Sequence, residues 1–534
     1  MKLMKKYYAI MSLFLLFTSI SLMDIQAQEN GDLLLPSKIE ILNKYHQHPF
    51  RFNDEESTQY TIEPTVGYVY TVGQVEEEEL QRALGVSNLA RRLVGLPGDL
   101  QMDSQLNKVA QYASYVNMLN ATISHYPEKP SLISDETYQI GKEGSAASNL
   151  AAGFPTIASS ILWGYLQDDD AYNIGVVGHR RWLLNPSMQK IGFGYVDTLV
   201  SSSYNGFTAT YVFDQSRKTT LDYQYIAWPA AGNMPIEFIK TSTPWSIHLG
   251  EDYDNPQMNS VTVELTNMDT GEIFVFNNET NSNTASAINT SFFTIENSLY
   301  GIDKTIIFRP NPNEISYESG DNFRVDVSGI TMEGYEMPIT YEVNFFDLED
   351  QPSIWAFEEL LEADAMQLIP EMLMDNYTDD ITRIDFTRLL IYGLQEYTGQ
   401  TYNELLQSEG YSEIGFTDTS DVDVELAAGL GIVNGIGNNQ FNPNGGIRRQ
   451  EAAAMLYRVG EYLEISRSET EEQGFTDEEG ISDWAEEAVD YVSTVVDPAN
   501  NKAVMGGLAD GSFAPNSPYT REQAIITIKR LLNR

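Results

Sequence analysis

The residues of this chain whose types could do chemistry begin with its histidines, of which there are five in 534 positions. His179 lies in Gly178-His179-Arg180-Arg181-Trp182-Leu183-Leu184-Asn185-Pro186, and His125 in Ser124-His125-Tyr126-Pro127. Two neutral imidazoles joined by a carboxylate can hold zinc, and bound zinc can activate water. The two are too far apart in sequence to form a local ligand motif such as His-Glu-x-x-His. His46, His48 and His248 stand in no comparable setting. Serine and threonine are plentiful, but none occupies the Gly-x-Ser-x-Gly context of a nucleophile elbow. There is no cysteine, which excludes a thiol nucleophile, thiolate metal sites and disulfides. Arg180 and Arg181 could grip an anion, although a charged pair beside a short helix is commonly a solvated face.

These residues need elements to hold them. Asn185-Pro186 stops any helix that carries His179, so that helix is short. Ile191, Phe193 and Tyr195 then alternate with small residues, the period of a strand. Upstream, Glu76 to Glu79 suit a helix start, and an apolar stripe follows through Leu80, Leu84, Leu89 and Leu93. Leu106, Val109, Ala110, Ala113 and Val116 predict a second amphipathic helix that ends just before His125. Gly141-Lys142-Glu143-Gly144-Ser145 opens a small-residue segment, Ala146 to Gly153, and Ile157 to Leu166 reads as an apolar helix with Trp163. Residues 28–75 have no sustained period and read as an extended lead-in. From 229 to 347 the period becomes two, as in Val261-Val263-Leu265, Phe323-Val325-Val327 and Ile339-Tyr341-Val343. Asp269-Thr270-Gly271 supplies a hairpin turn. This predicts an all-β, immunoglobulin-like sandwich acting as a spacer, with Trp245 and Phe308 in its core.

Lys2, Lys5 and Lys6, the apolar run Tyr7 to Leu22 and Ile25-Gln26-Ala27 read as a secretory signal over 1–27. No other run is long enough to span a bilayer. With 32 Lys+Arg against 77 Asp+Glu, the net charge of −45 repels nucleic acid and anionic membrane. Length alone predicts about three domains.

His125-Tyr126, Asn149-Leu150-Ala151, Trp163, Gly178-His179-Arg180, Leu184-Asn185-Pro186 and Gly192-Phe193-Gly194-Tyr195 together resemble a CAP domain. CAP comprises the cysteine-rich secretory, antigen 5 and pathogenesis-related proteins, and this stretch is similar to the cysteine-free bacterial branch. The resemblance covers 76–228 and implies an α-β-α sandwich with a cleft of two histidines and two acids. His125 and His179 would be the cleft histidines, and the metal ligands if a divalent cation such as zinc or calcium binds. The family's first glutamate falls on Ser148 and its second lies near Trp163 without a match, so Glu143 and Asp168 are the nearest acids to serve. The missing glutamates favour a noncatalytic ligand-binding or adhesion module. The alternative is a metal-dependent hydrolase acting at the wall.

From 352 to 534 the chain is helical and repeats itself, in copies over 352–408, 409–468 and 469–534. Phe416-Thr417-Asp418 recurs as Phe475-Thr476-Asp477, Phe441-Asn442-Pro443 as Phe513-Ala514-Pro515, and Ile447-Arg448-Arg449-Gln450-Glu451 as Tyr519-Thr520-Arg521-Glu522-Gln523. A fainter copy holds Ile381-Thr382-Arg383. Thr520 and Thr382 are predicted helix caps, whereas Arg448 leaves its helix start uncapped. Arg383, Arg449 and Arg521 open these helices, where backbone N–H groups favour anions and a planar guanidinium can take a carboxylate by two hydrogen bonds. Trp484 offers a flat face for a sugar. The copies resemble S-layer homology (SLH) repeats. The resemblance implies an all-α bundle of three repeats that binds secondary cell-wall polysaccharide, often pyruvylated, on Gram-positive-type surfaces. The multidomain expectation is a secreted, wall-attached protein that displays a CAP domain at the cell wall or S-layer surface.

Overall fold

The computed structural model describes residues 33–47, 58–219, 221–281, 289–408, 410–467 and 474–534. The expected signal segment 1–27 lies outside them, as does His48. Among the described residues no helix is long and apolar enough to cross a membrane. The chain forms two compact units, essentially Ile41–Leu348 and Glu349–Arg534.

The first unit corrects the lead-in reading. A helix α1 (Lys38–Gln47) and a two-stranded pair, β1 (Tyr60–Ile62) and β2 (Gln74–Val75), stand where an extended chain was expected. The periodic signal was short, but Ile41, Leu42 and Tyr45 fall on one helical face and are buried. Helix α2 (Glu77–Leu93) follows with three glutamates in its first turn. After β3 (Gln101–Met102), helix α3 (Ser104–Leu119) is capped by Asp103, whose carboxylate accepts from Gln105 and Leu106 N–H.

The small-residue segment, to which the sequence assigned no element, forms strand β4 (Ser148–Ala152), and the stretch that opens it ends helix α4 (Asp135–Ala146). Its glycines serve packing. A Cβ at Gly144 would stand 2.3 Å from Val109 O, and one at Gly141 2.5 Å from Val116 Cγ2, so α4 lies directly against α3. The apolar helix splits into α5 (Ile157–Ser160) and a π-helical turn, Ile161–Tyr165. The short histidine helix α6 (Gly178–Leu183) and strand β5 (Lys190–Val196) match the expected helix, turn, strand order. Strand β6 (Phe207–Tyr211) pairs with both β4 and β5, and β3 completes the sheet in the order β3-β5-β6-β4. Gly192 and Gly194 face α3, where an added Cβ would meet backbone at 2.3 and 2.2 Å. The alternation seen in sequence therefore marks a strand covered on both faces, with helix on its glycine side.

The β-rich segment supplies two sheets. Strands β7 (Tyr225–Trp228), β9 (Trp245–Leu249), β12 (Phe292–Glu296) and β13 (Thr305–Arg309) form one, in the order β12-β13-β9-β7. Strands β8 (Gly232–Pro235), β10 (Thr262–Asn267), β11 (Ile273–Phe276), β14 (Asn322–Ser328) and β17 (Ile339–Phe346) form the other, in the order β11-β10-β14-β17-β8, with β17 and β8 parallel. A short pair, β15 (Thr331–Met332) and β16 (Tyr335–Glu336), lies apart. Trp245 joins the two larger sheets. From the first sheet its ring meets Phe323 and Phe345 of the second at 6.1 and 6.4 Å, and its Nε1 donates to Tyr317 Oη. The Asp269–Gly271 hairpin is present, with Gly271 at φ 75°.

The second unit repeats one motif three times. The leading helices are α7 (Phe357–Ala365), α10 (Val422–Gly429) and α12 (Glu486–Thr494), and the following ones are α8 (Arg383–Thr398), α11 (Arg449–Tyr462) and α13 (Arg521–Leu532), with a short α9 (Tyr402–Leu405) after α8. The Phe-x-Asp carboxylate pins the later turn: Asp418 accepts from Phe441 and Asn442 N–H, and Asp477 from Phe513 and Ala514 N–H. In the first copy Asp350 accepts from Asn376 N–H at 2.7 Å. Asn376, Asn442 and Ala514 share a left-handed φ of 48°, 64° and 56°. The first copy thus makes the same turn without Phe-x-Pro, and buried Tyr377 stands where the others have proline.

Candidate functional site

His179 is held by a fixed acid. Its Nδ1 lies 2.7 Å from Asp168 Oδ1, and the other carboxylate oxygen accepts from Arg180 N–H at 3.1 Å. Nδ1 must carry the proton it donates, which leaves Nε2 as the acceptor of the neutral ring. Tyr165 lies beside the imidazole at 5.2 Å between ring centroids. Asn149 Nδ2 donates to His179 O at 2.8 Å, and Tyr165 Oη donates to Asn149 O at 3.1 Å. Burial works against the charged ring, but the charge and hydrogen bond of Asp168, with Asp170 adding less, outweigh it and raise the His179 pKa above the ordinary value. Asp168 and Val177 both have left-handed backbone, at φ 45° and 42°. Such strain costs about 1 to 3 kcal/mol per residue and gathers where surrounding structure fixes a site. Val177 is fixed by a core it shares with Ile174, Phe292 and Ile307, the last two from the β-rich segment.

Arg180 and Arg181 are fully buried, and neither a solvated face nor an anion grip describes them. Arg180 donates to Leu166 O, Gln167 O, Pro244 O and Ser246 Oγ at 2.8 to 2.9 Å. Arg181 donates to Val176 O, Ile302 O and Ser298 O and lies over the Tyr300 ring. Burial pushes both guanidinium pKa values down to about 10, still charged at neutral pH. These two side chains bolt the histidine helix onto the β-rich segment. Residues 76–228 and 229–347, read separately in sequence, are therefore one folded unit, and the second part supports the His179 site. Arg91, also fully buried, closes the other end of α6 by donating to Leu183 O and Asn185 O.

His125 is exposed, and its Nδ1 donates to Ser145 O at 2.8 Å. Its loop is set by Asn117, whose Oδ1 accepts from Ser124 N–H and whose Nδ2 donates to Ser145 Oγ. Both histidines are thus tied to one helix-to-strand junction, His125 at Ser145 and His179 at Asn149. Those anchor points lie within about 14 Å of chain. Glu143 is exposed on α4 and makes no hydrogen bond or ion pair among the described residues, so of the two candidate acids only Asp168 meets a histidine. Ser148 is buried, with its hydroxyl unpartnered among those residues. Among the described residues no three His, Asp or Glu side chains converge on a point that could hold a metal, and two imidazoles fall short of the three protein ligands of a catalytic zinc. His248 is a core residue between Ser246 and Thr305.

In the second unit the helix-start N–H groups are already taken. Arg383 and Ile384 donate to Gly445 O and Pro443 O, Arg449 and Gln450 to Ser517 O and Pro515 O, and Arg521 and Glu522 to Asp379 O and Tyr377 O. Each copy's second helix is capped by the next copy's turn, and the third closes on the first. The anion-ready helix starts expected from sequence are therefore filled by protein carbonyls. Thr382 and Thr520 cap as expected, and Arg448 N–H is met instead by Glu451 Oε2 at 2.9 Å. The arginine side chains differ among copies. Arg383 lies over the Phe441 ring and donates to Asn434 O. Arg449 is buried over Phe513 and donates to Phe513 O and Gly506 O. Arg521 meets Asp375, which replaces the phenylalanine of the other copies, at 2.7 Å. Trp484 is 58% exposed, and Trp355, at the same place in the first copy, is 53% exposed. Sequence reading missed Trp355 because the first copy lacks the flanking motifs.

The family model for the cysteine-rich secretory protein family (CAP) matches residues 84–212, and that for the S-layer homology domain matches 416–453 and 474–525. Among curated proteins, an endoglucanase of Bacillus sp. (strain KSM-635) is 32% identical over 195 residues, covering 35% of this chain and 19% of its own length. An amylopullulanase of Thermoanaerobacterium thermosulfurigenes is 28% identical over 237 residues, 42% of this chain and 12% of its own. Exoglucanase XynX of Acetivibrio thermocellus is 28% identical over 200 residues, 36% of this chain and 16% of its own. The chain spans less than a fifth of each relative. It carries a CAP domain and SLH domains, and the SLH domains indicate association with the cell surface.

Proposed function

We propose that this protein is exported, held on the envelope by SLH copies that bind secondary cell-wall polysaccharide, and displays a CAP domain that binds a ligand without turning it over. The observation that carries the reading is the union in one chain of matched SLH segments with a CAP unit whose His179 is locked by Asp168 and keeps Nε2 for a ligand. Trp355 and Trp484 supply exposed sugar-stacking faces for the polymer, and Arg383 a cation for its acidic groups; pyruvyl ketals would be such groups. Arg449 and Arg521 act mainly between copies, through the carbonyls and the carboxylate they already hold. The two sheets of the first unit form an immunoglobulin-like support for the CAP site. In a producing strain the protein should fractionate with the wall and leave it with the extracted polysaccharide. Recovery in the medium with an intact wall would refute the anchoring.

A second reading, hydrolysis at the CAP cleft, draws on the Asp168–His179 pair, since a carboxylate-oriented imidazole is also the form of a general base. Release of soluble wall fragments by the purified chain, abolished in His179→Ala, would favour it.

A further inference from the structure

Within the first unit, the seam between residues 76–228 and the β-rich segment holds a cleft of about 460 Å³. One wall is the turn Asn185-Pro186, which follows α6 and so stands at the opposite end of that helix from His179. The other wall is one end of the β12-β13-β9-β7 sheet. Leu249 N–H donates to Lys304 O and Gly250 N–H to Gln224 O, so the ends of β13, β9 and β7 lie side by side. Neighbouring strands are about 4.8 Å apart, which brings Asp303, Glu251 and Tyr223 to one rim of the cleft.

Four polar groups of this cleft have no partner among the described residues. Asn185 is 2% exposed, and its Oδ1 accepts from Ser187 N–H, which leaves Nδ2, a donor only, without an acceptor. Tyr223 Oη makes no hydrogen bond there, and the Asp303 and Glu251 carboxylates make neither a hydrogen bond nor an ion pair. Burial, then Asp303 and then Glu251 raise the Tyr223 pKa, so both acids act on the phenol. The cations of the cleft are held by other groups. Arg217 pairs with Asp99, and Lys304 Nζ donates to Glu251 O and Tyr253 O at 2.7 and 2.6 Å, on a backbone held at a left-handed φ of 49°. With Arg217 offset by Asp99, Glu251 and Asp303 against Lys304 leave one net negative charge.

We propose that this cleft binds a lysine side chain of a peptide, with the ammonium between Asp303 and Glu251, the aliphatic stem along Leu221, Leu299 and Pro186, and a peptide carbonyl on Asn185 Nδ2. An ammonium has donors only and suits two carboxylates that lack one, whereas an acidic ligand is repelled. The stem gains from apolar contact while its charged head stays at the polar rim, and Leu299 is 68% exposed as a surface for it. The amide donor of Asn185 calls for a carbonyl on the same ligand, and Tyr223 Oη can serve either end. An amino sugar carries its ammonium on the ring and has no such stem. The site shares no residue with the His179 pair and does not depend on the reading above.

The test is calorimetric titration of the full chain with the peptide Gly-Lys-Gly, capped at both ends and used at millimolar concentration, and with the same peptide acetylated on its lysine amine. Wild type should bind the first peptide and take the acetylated one about tenfold more weakly. Asp303→Asn and Glu251→Gln should each weaken binding of the first about tenfold, while Glu342→Gln, a charge-matched change at an exposed position of β17, stays within about twofold. Melting curves check folding, and Glu251→Gln decides alone if Asp303→Asn fails to fold. Equal binding of the two peptides would overturn the ligand class. Unchanged affinity in folded acid variants would overturn the site. No wild-type binding of the lysyl peptide would overturn the proposal and leave the His179 reading standing.

Discussion

Asp168→Asn tests whether the His179 pair is poised as described. The carboxylate accepts twice, from His179 Nδ1–H and from Arg180 N–H. An asparagine can accept with its oxygen and must donate with its nitrogen. If the oxygen keeps Arg180 N–H, the amide nitrogen faces His179 Nδ1, which then accepts, and the ring proton moves to Nε2. Nε2 changes from acceptor to donor. The pKa should also cross over. In the native protein Asp168 and Asp170 outweigh burial and raise the value; in the variant burial dominates and the value falls below the ordinary 6.5. A raised histidine pKa contributes stability that is complete below the unfolded value and is lost as pH rises through the folded value. Asp168→Asn should therefore cost most at acid pH, about 2 to 3 kcal/mol for a buried charge-assisted hydrogen bond, and less above neutral. Nitrogen-15 imidazole spectra across pH give the tautomer and the pKa together, and denaturant titrations at pH 5 and pH 8 give the stability. A variant His179 that still titrates above 6.5 with its proton on Nδ1 would refute this account of the pair.

Three further outcomes follow from the packing. Deleting 229–347 removes Pro244, Ser246, Ser298 and Ile302, which accept from Arg180 and Arg181, so the first unit should lose its cooperative melting transition while wall binding by the second persists; an intact first transition would mean the sheets do not support the site. Gly194→Ala places a Cβ 2.2 Å from Gln111 N and should destabilise the first unit by about 3 kcal/mol or more, read by chemical denaturation. Burial disfavours the Glu359 carboxylate, but Arg530 and Lys502 more than offset it and pull its pKa down from 4.5 to about 2. That contributes about 3 kcal/mol, present above pH 4.5 and lost as pH falls towards 2, and Glu359→Gln should flatten this acid limb of the second unit's stability.

Much of this was legible in the sequence, for physical reasons that differ by element. The helices at Glu77–Leu93 and Ser104–Leu119 declared themselves because each buries one long stripe. Strand β5 was legible, though its glycines mark helix contact and not a polar face. The helix at Asp135–Ala146 was missed because the residues that let it approach α3 are glycine and serine, which also mark loops. His125 and His179 were found by motif, and Asp168 only as the nearest acid; the left-handed turn that brings Asp168 back to His179 has no sequence signature. Arg180 and Arg181 misled because a charged pair looks solvated, and the acceptors that tie them to the β-rich segment lie 64 to 121 residues away in the chain. Asp375 at Arg521 was hidden because the degenerate first copy has no motif there to align.

The central claim is that the chain is held on the wall through polysaccharide. Co-sedimentation of the purified wild-type chain with isolated sacculi, native and stripped of their secondary polysaccharide, tests it most directly. The account predicts that the chain pellets with native sacculi and stays in solution with stripped ones; equal pelleting with both, or with neither, would contradict it.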